Sequence, residues 1–413
     1  MTWLSPTPSA LSNPRRRPTA HLLRGALGRG LASLGLASLG LWAHGPWGEV
    51  RAQSKPVPPR LSFVSERDGQ RDVYLIGGDG RGETRLTFSP EDESNGPSAP
   101  DGTRLLVTIG SAEERRATHG FRFALLPLVR SATTSPLSPL RDRGLDLLSG
   151  SRAWLREPSF LPDGKRLVFE SEPDTSQSGL REIFLVQWDA GPGRRPTLRQ
   201  LTQNREGNFE PTVCGKTDYI AFTSSRDQKS ELYRMRTDGS DLRRLTYAAG
   251  SKWQPRCSPD GVRIFFVSDR DGADRIYSVH KNGSEPKRLT RAGLDPTLSE
   301  DSPALSPDGR KVAYVRRGAT LGARLHVLDQ ATERDCEVPT PPGSRASDPD
   351  WSPRAGDGTS RLAFSLQPAA HTDAGAAAPA SPKRQIFVSD DRCARITPLT
   401  TARGPNWHPL WIR

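Results

Sequence analysis

The residues of this chain best placed to do chemistry are six polar side chains that each stand directly before a proline: Glu157, Glu210, Gln254, Ser302, Asp348 and His408. Prolines recur at Pro97, Pro158, Pro211, Pro255, Pro303, Pro349 and Pro409, so the six are expected to occupy one place in a repeating structure. Side-chain alternation along an extended strand adds Asn208, Glu300 and Asn406 to the same face, with Trp253 and Trp407 framing it. Carboxylates gathered in this way repel one another: two of them about 6 Å apart, at an effective dielectric near 20, cost roughly 3 kcal/mol. Such a ring attracts a cation or a basic group. Oxygen ligands suit calcium, which is the one cofactor these residues admit. The more economical reading is that the side chains accept backbone N–H groups from a neighbouring repeat and hold the repeats together.

The chemistry that is missing narrows the function. No G-x-S-x-G occurs, and no His pair sits at i, i+4 on a helix. After residue 52 the histidines are His119, His280, His326, His371 and His408, scattered over different repeats, and only His408 is placed for a shared site. A non-catalytic binding protein is therefore expected. An enzyme of polysaccharide lyase or hydrolase type, or an inert envelope scaffold, is the alternative.

The elements that must position these residues are clearest at 251–290. Trp253 to Cys257 forms a strand carrying Pro255, which places it at a sheet edge. Ser258-Pro259-Asp260-Gly261 is a tight turn, and Ile264 to Val267 is apolar on both faces. Ser268-Asp269-Arg270-Asp271-Gly272 returns the chain to Arg275–Val279, Asn282-Gly283 makes a hairpin, and Lys287 to Thr290 is a polar outer strand. A unit of about forty residues with both faces of its middle strand apolar needs copies stacked on either side.

Seven marker prolines predict an all-β fold of seven four-stranded antiparallel blades in a β-propeller. The blades fall near 61–87 plus 404–413, 95–149, 156–202, 208–246, 251–290, 299–339 and 345–400. The first lacks an inner strand, and Asn406 to Trp411 is an inner strand with nothing after it, so the C-terminal strand should complete the N-terminal blade. Unit 95–149 is the poorest copy, its final hairpin replaced by a Ser/Pro-rich stretch at 131–140; without it the ring has six blades. The longest inserts, 111–119, 171–180 and 366–384, lie in one kind of loop and mark a binding rim.

Residues 1–52 differ from the rest, with Arg15-Arg16-Arg17 and Arg24 ahead of an apolar run from Leu31 to Trp42 and Val50-Arg51-Ala52 as a cleavage site. They read as a secretory signal followed by a short linker at 53–60, giving a soluble product in the periplasm or outside the cell, without a transmembrane anchor. The formal charge of +12 is spread along the chain, with basic pairs on the outer strand of successive repeats (Arg243-Arg244, Lys287-Arg288). This is a solvated rim rather than a nucleic-acid surface, and a monomer is expected. Cys214 and Cys257 fall one position out of register on neighbouring inner strands, and Cys336 and Cys393 lie near the last strands of adjacent units; free thiols are expected at all four, with Cys336–Cys393 pairing the lesser alternative.

A unit reading P-x-x-S-P-D-G, apolar strand, S-x-R-D-G, Ile-Tyr, D-G-S and R-L-T resembles the propeller repeat of the periplasmic TolB family, over about 61–413 and best at 205–310. The resemblance implies an exported binding protein whose propeller mouth takes an envelope protein, in that family a peptidoglycan-associated lipoprotein. The family also carries an α/β domain ahead of a six-bladed propeller, whereas only Gln53 to Arg60 separates signal from first strand here.

Overall fold

The computed structural model describes residues 59–110, 122–128, 145–146, 155–172, 180–188, 196–204, 206–290, 295–369, 383–401 and 404–413, all within the compact unit Pro56–Arg413. The proposed signal at 1–52, the stretch 131–140, and His119, His371 and Asp373 lie outside them, as do 111–119 and most of the other two long inserts.

The described residues form strands and no helix, and the strands group in fours. The first quartet holds β1 (Arg60–Ser65), β2 (Asp72–Gly77) and β3 (Thr84–Arg85); the second β4 (Asp92–Ser98), β5 (Arg104–Gly110), β6 (Arg122–Pro127) and β7 (Leu145–Asp146). The third holds β8 (Arg156–Phe160), β9 (Arg166–Ser171), β10 (Glu182–Gln187) and β11 (Thr197–Gln200). The fourth holds β12 (Asn208–Val213), β13 (Tyr219–Ser224), β14 (Glu231–Arg236) and β15 (Arg243–Arg244). The fifth is β16 (Lys252–Cys257), β17 (Arg263–Ser268), β18 (Arg275–His280) and β19 (Lys287–Arg288). The sixth, β20 (Ser299–Leu305), β21 (Lys311–Gly318), β22 (Gly322–Asp329) and β23 (Asp335–Glu337), joins the next through one parallel bridge, Ala323 to Arg345. That next quartet is β24 (Arg345–Trp351), β25 (Arg361–Gln367), β26 (Gln385–Asp390) and β27 (Ile396–Pro398). Finally β28 (Asn406–Trp411) pairs antiparallel with β1, Leu61 opposite Trp411 and Ser65 opposite Asn406. The poorest copy, 95–149, thus contributes a full quartet.

Each marker proline sits on the inner edge strand of its quartet, where its missing N–H leaves no gap in a ladder. Inner strands also meet across quartets: β4 touches β8, β8 touches β12, and so on through β16, β20 and β24 to β28, which touches β4. The second strands are covered on both sides. On β17, Ile264 and Phe266 pack against Ala221, Leu232 and Leu245 of the fourth quartet, while Val267 meets Tyr314 and Leu328 of the sixth.

The recurring sequence words are braces. In S-x-R-D-G, Arg67, Arg226 and Arg270 lie over the rings of Tyr74, Tyr233 and Tyr277 at 4.3, 4.6 and 3.9 Å. Those tyrosine hydroxyls donate to Asp68, Asp227 and Asp271, which also face Arg85, Arg244 and Arg288 of the outer strand. The threonine of Leu-Thr works between strands: Thr87, Thr202, Thr246 and Thr400 each accept a third-strand N–H at 2.8–3.0 Å. In the S-P-D-G turn, Gly261 takes φ +69°, and a Cβ there would stand 2.7 Å from the Cys214 carbonyl of the neighbouring quartet.

The cysteines correct the sequence reading. No described cysteine is a free thiol: Cys214 bonds to Cys257 and Cys336 to Cys393, with Cα separations of 4.9 and 6.2 Å. Alternation misled because it relates residues within one extended strand. Cys214 lies one residue past β12, where the turn has begun, and faces β16 across the seam between quartets.

Trp411 anchors the last strand. Its ring packs with Leu61, Phe63, Tyr74, Ile76, Ala363 and Ile386, its N–H donates to Asp350 Oδ2 at 2.7 Å, and its Nε1 donates to Asp350 O at 3.1 Å. Replacing Trp411 by Ala should cost about 3–5 kcal/mol in a urea titration. An unchanged midpoint would show that this strand does not bear on stability.

Candidate channel mouth

The six residues before the marker prolines share one backbone conformation. Glu157, Glu210, Gln254, Ser302, Asp348 and His408 have φ of 46°, 55°, 51°, 56°, 55° and 56°. This left-handed region disfavours every residue except glycine, by roughly 1–2 kcal/mol. Each lies at a β-bulge, where the pairing of the inner strand to its neighbour slips. The second quartet differs: Gly96 stands at this position, and Asn95 rather than a pre-proline side chain turns to the neighbour.

The bulge presents both a free amide and a side chain to the next quartet, and part of the set is laced together through them. Glu210 N–H donates to Glu170 Oε2 at 2.7 Å, Gln254 N–H to Glu210 Oε2 at 2.6 Å, and Ser302 N–H to Gln254 Oε1 at 2.7 Å. Glu210 and Gln254 therefore act as the braces anticipated by the economical reading. The lacing ends at Ser302, whose short hydroxyl turns back to Asp301 at 2.7 Å. Further round, Asp348 accepts from Ser347 Oγ at 2.9 Å, and His408 N–H donates to Ser365 Oγ at 3.1 Å. The His408 ring lies 3.1 Å from Asn95 Oδ1.

The charges are unevenly distributed. Glu157, about half exposed, faces Arg256 at 3.8 Å, and Glu170 pairs with Arg181 at 2.8 Å. Burial pushes the Glu210 carboxyl up to about 7, against the opposing pull of the Gln254 N–H, with Glu157 adding repulsion. Burial likewise raises Glu170.

Asn208, Glu300 and Asn406 do not share this face, which is a second correction: all three are fully buried. Asn208 donates to Glu182 of the preceding quartet at 2.7 Å, Glu300 accepts from Arg316 at 3.0 Å and Thr290 at 2.5 Å, and Asn406 donates to Gln385 at 2.8 Å. Period-two alternation needs extended residues throughout, and the left-handed residue two positions on interrupts it. Trp253 and Trp407 are half-buried; Trp253 packs toward Val267 and Ile276, and Trp407 lies under Arg71 at 5.5 Å. Sequence reasoning missed Glu170, Arg181 and Arg256. A glutamate directly after the apolar run Leu167–Phe169, still within β9, was the available signal.

Among the described residues no three His, Cys, Asp or Glu side chains converge on a metal-sized site. A cleft of about 330 Å³ is lined by Arg263, Ser278, Glu285, Lys287, Leu289 and Gln330, none of them on an inner strand.

Residues 140–355, just over half the chain, match the family described as the TolB beta propeller domain. The chain belongs to this TolB-type propeller family. Among solved structures it is similar to TolB from Acinetobacter baumannii, at 17% identity over 86% of this chain and 83% of that one, with a TM-score of 0.49. It is also similar to a puromycin-hydrolyzing peptidase from Mycobacterium tuberculosis (16%, 83% of this chain, TM-score 0.59), of which it spans only 54%. An oligogalacturonate lyase from Vibrio parahaemolyticus matches at 15% over 80% of this chain and 86% of that one, TM-score 0.55. At such identities the peptidase and the lyase speak to the propeller fold alone. Among the described residues no helix is long and apolar enough to cross a membrane.

The raised Glu210 carboxyl makes stability depend on pH. Folded, it holds its proton to about pH 7; unfolded, it releases it near its ordinary 4.5, so stability falls as pH rises through that window. Glu93, also pushed up to about 7 by burial, acts in the same direction. Glu210→Gln keeps an oxygen for the Gln254 N–H and removes one titration. Its urea midpoint should fall less between pH 5 and pH 8 than that of the wild type, and an identical fall would contradict the assignment.

Proposed function

We propose that the protein is a non-catalytic, exported propeller of seven four-stranded blades, closed by β28, whose channel mouth receives a segment of another cell-envelope protein. The observation that carries this reading is the set of left-handed residues at the mouth. Six quartets hold a non-glycine residue in a disfavoured conformation at one position, while the side chain there changes from Glu to Gln, Ser, Asp and His. Backbone strain kept constant under varying side chains suits a surface that presents different groups to a partner. Bracing accounts for Glu210 and Gln254; Glu157, Asp348 and His408 are the groups left to meet a ligand, and an acidic pair among them favours a basic segment.

The succession of inner-strand contacts from β4 round to β28 and back supports seven blades and a closed ring. Two disulfides favour an oxidising compartment, in keeping with a signal at 1–52. By family likeness the partner is a peptidoglycan-associated lipoprotein, and the peptidase and lyase folds make an enzyme the reading to exclude.

Titration calorimetry with the purified soluble domain of the peptidoglycan-associated lipoprotein of the same bacterium tests this. Binding is expected, weakened about tenfold or more, or roughly 1.4 kcal/mol, by Glu157→Ala with Asp348→Ala. No binding, binding indifferent to both substitutions, or turnover of oligogalacturonides or peptides would overturn the proposal.

A further inference from the structure

Five junctions between quartets are built on one plan. A residue at the start of an inner strand, the first at Asn208, Lys252 and Asn406 and the second at Glu93 and Glu300, donates its N–H to the carbonyl just ahead of the preceding quartet's third strand: Glu93 to Arg71, Asn208 to Arg181, Lys252 to Ser230, Glu300 to Asp274 and Asn406 to Arg384, all at 2.6–3.0 Å. At three of them the side chain of that residue also bonds the first side chain of the third strand: Asn208 to Glu182 at 2.7 Å, Lys252 to Glu231 at 3.1 Å and Asn406 to Gln385 at 2.8 Å.

The seam between the fourth and fifth quartets shows what the pocket accepts. Lys252 is fully buried, and its ammonium sits on three loop carbonyls, Ala248 at 2.5 Å, Gly250 at 2.8 Å and Ala249 at 3.3 Å, with Glu231 Oε2 at 3.1 Å. The other oxygen of Glu231 takes Arg244 at 3.0 Å. Two further seams also set a cation on loop carbonyls: Arg275 donates to the carbonyls of Leu298 and Asp295, and Arg324 to those of Thr340 and Pro341.

The seam between the first and second quartets keeps this plan and reverses one charge. Asp72 stands in the place of Glu231 and gives Oδ1 to Arg85 at 2.8 Å, as Glu231 gives Oε1 to Arg244. In the place of Lys252 stands Glu93, and both carboxylates are fully buried. Asp72 Oδ2 and Glu93 Oε2 are each buried without a hydrogen-bond partner among the described residues, a costly arrangement for carboxylates. Glu93 Oε1 accepts from Ser89 Oγ, and Gln70 donates to the Ser89 carbonyl in the linking loop.

We propose that this seam binds a divalent cation of calcium type between Asp72 Oδ2 and Glu93 Oε2, with neutral oxygens of the linking loop around Ser89 completing the shell. Charge decides the valence. Glu231, Arg244 and Lys252 sum to one positive charge; with both carboxylates ionised, as an ion bound between them requires, Asp72, Arg85 and Glu93 sum to one negative, and a divalent ion restores the balance of the lysine pocket. Hard oxygen donors of mixed carboxylate, hydroxyl and carbonyl type suit calcium. The site lies off the channel, in the seam beside the quartet that β28 completes, so it is independent of partner binding at the mouth.

Calcium should raise the melting temperature of the chelator-stripped full-length protein by at least about 3 °C near saturation. Titration calorimetry should find a site that Glu93→Gln weakens tenfold or more. Glu93→Lys, which puts an ammonium where the fifth quartet has one, should melt without calcium at least as high as the calcium-loaded wild type and ignore added calcium. A wild type indifferent to calcium, or a calcium response that Glu93→Gln leaves intact, would overturn the proposal.

Discussion

The antiparallel pairing of β28 with β1 is the contact on which the arrangement depends, because it joins residues at the two ends of the described chain and gives the first quartet its inner edge. The last strand is held from three sides. Trp411 reaches Asp350 of the seventh quartet, Asn406 takes Arg67 of the first at 3.0 Å, and the His408 carbonyl takes Asn95 of the second at 3.0 Å. Each quartet has an apolar face on both sides, so none is complete without neighbours, and this strand supplies the last of them. The seams carry much of the polar chemistry of the interior: threonines, carboxylates, amides, one lysine and several arginines satisfy one another where quartets meet.

Much of this was legible in the sequence. The marker prolines located the inner edge strands, the apolar second strands announced cover on two sides, and the ends Leu61–Val64 and Asn406–Trp411 declared themselves halves of one sheet. Proline, glycine and aspartate act through their own backbone, so their positions can be read locally. Relations across a seam cannot. The Cys214–Cys257 bond forms between chains of hydrogen bonds that alternation within one strand does not govern, and the burial of Asn208, Glu300 and Asn406 follows from a left-handed residue that proline spacing does not reveal. Glu170 reached the mouth from a second strand, a place where an apolar side chain was expected.

One backbone device recurs at the residues before the marker prolines. A bulge with positive φ turns an amide toward the next quartet, and where the side chain is long enough, as at Glu210 and Gln254, it captures the following amide and closes the seam. Where it is short or differently placed, as at Ser302, Asp348 and His408, the side chain bonds Asp301, Ser347 and Asn95 instead. The residue at this position varies from repeat to repeat, while the Arg–Tyr–Asp and Leu-Thr braces keep the sheets in place.

Hydrogen–deuterium exchange resolved by residue tests the pairing of the chain ends most directly. If β28 completes the first quartet, the paired amides of 406–411 should exchange as slowly as those of 60–65 and 72–77, all limited by the same cooperative opening. Amides of 406–411 that exchange orders of magnitude faster than those of β1 and β2 would contradict the account.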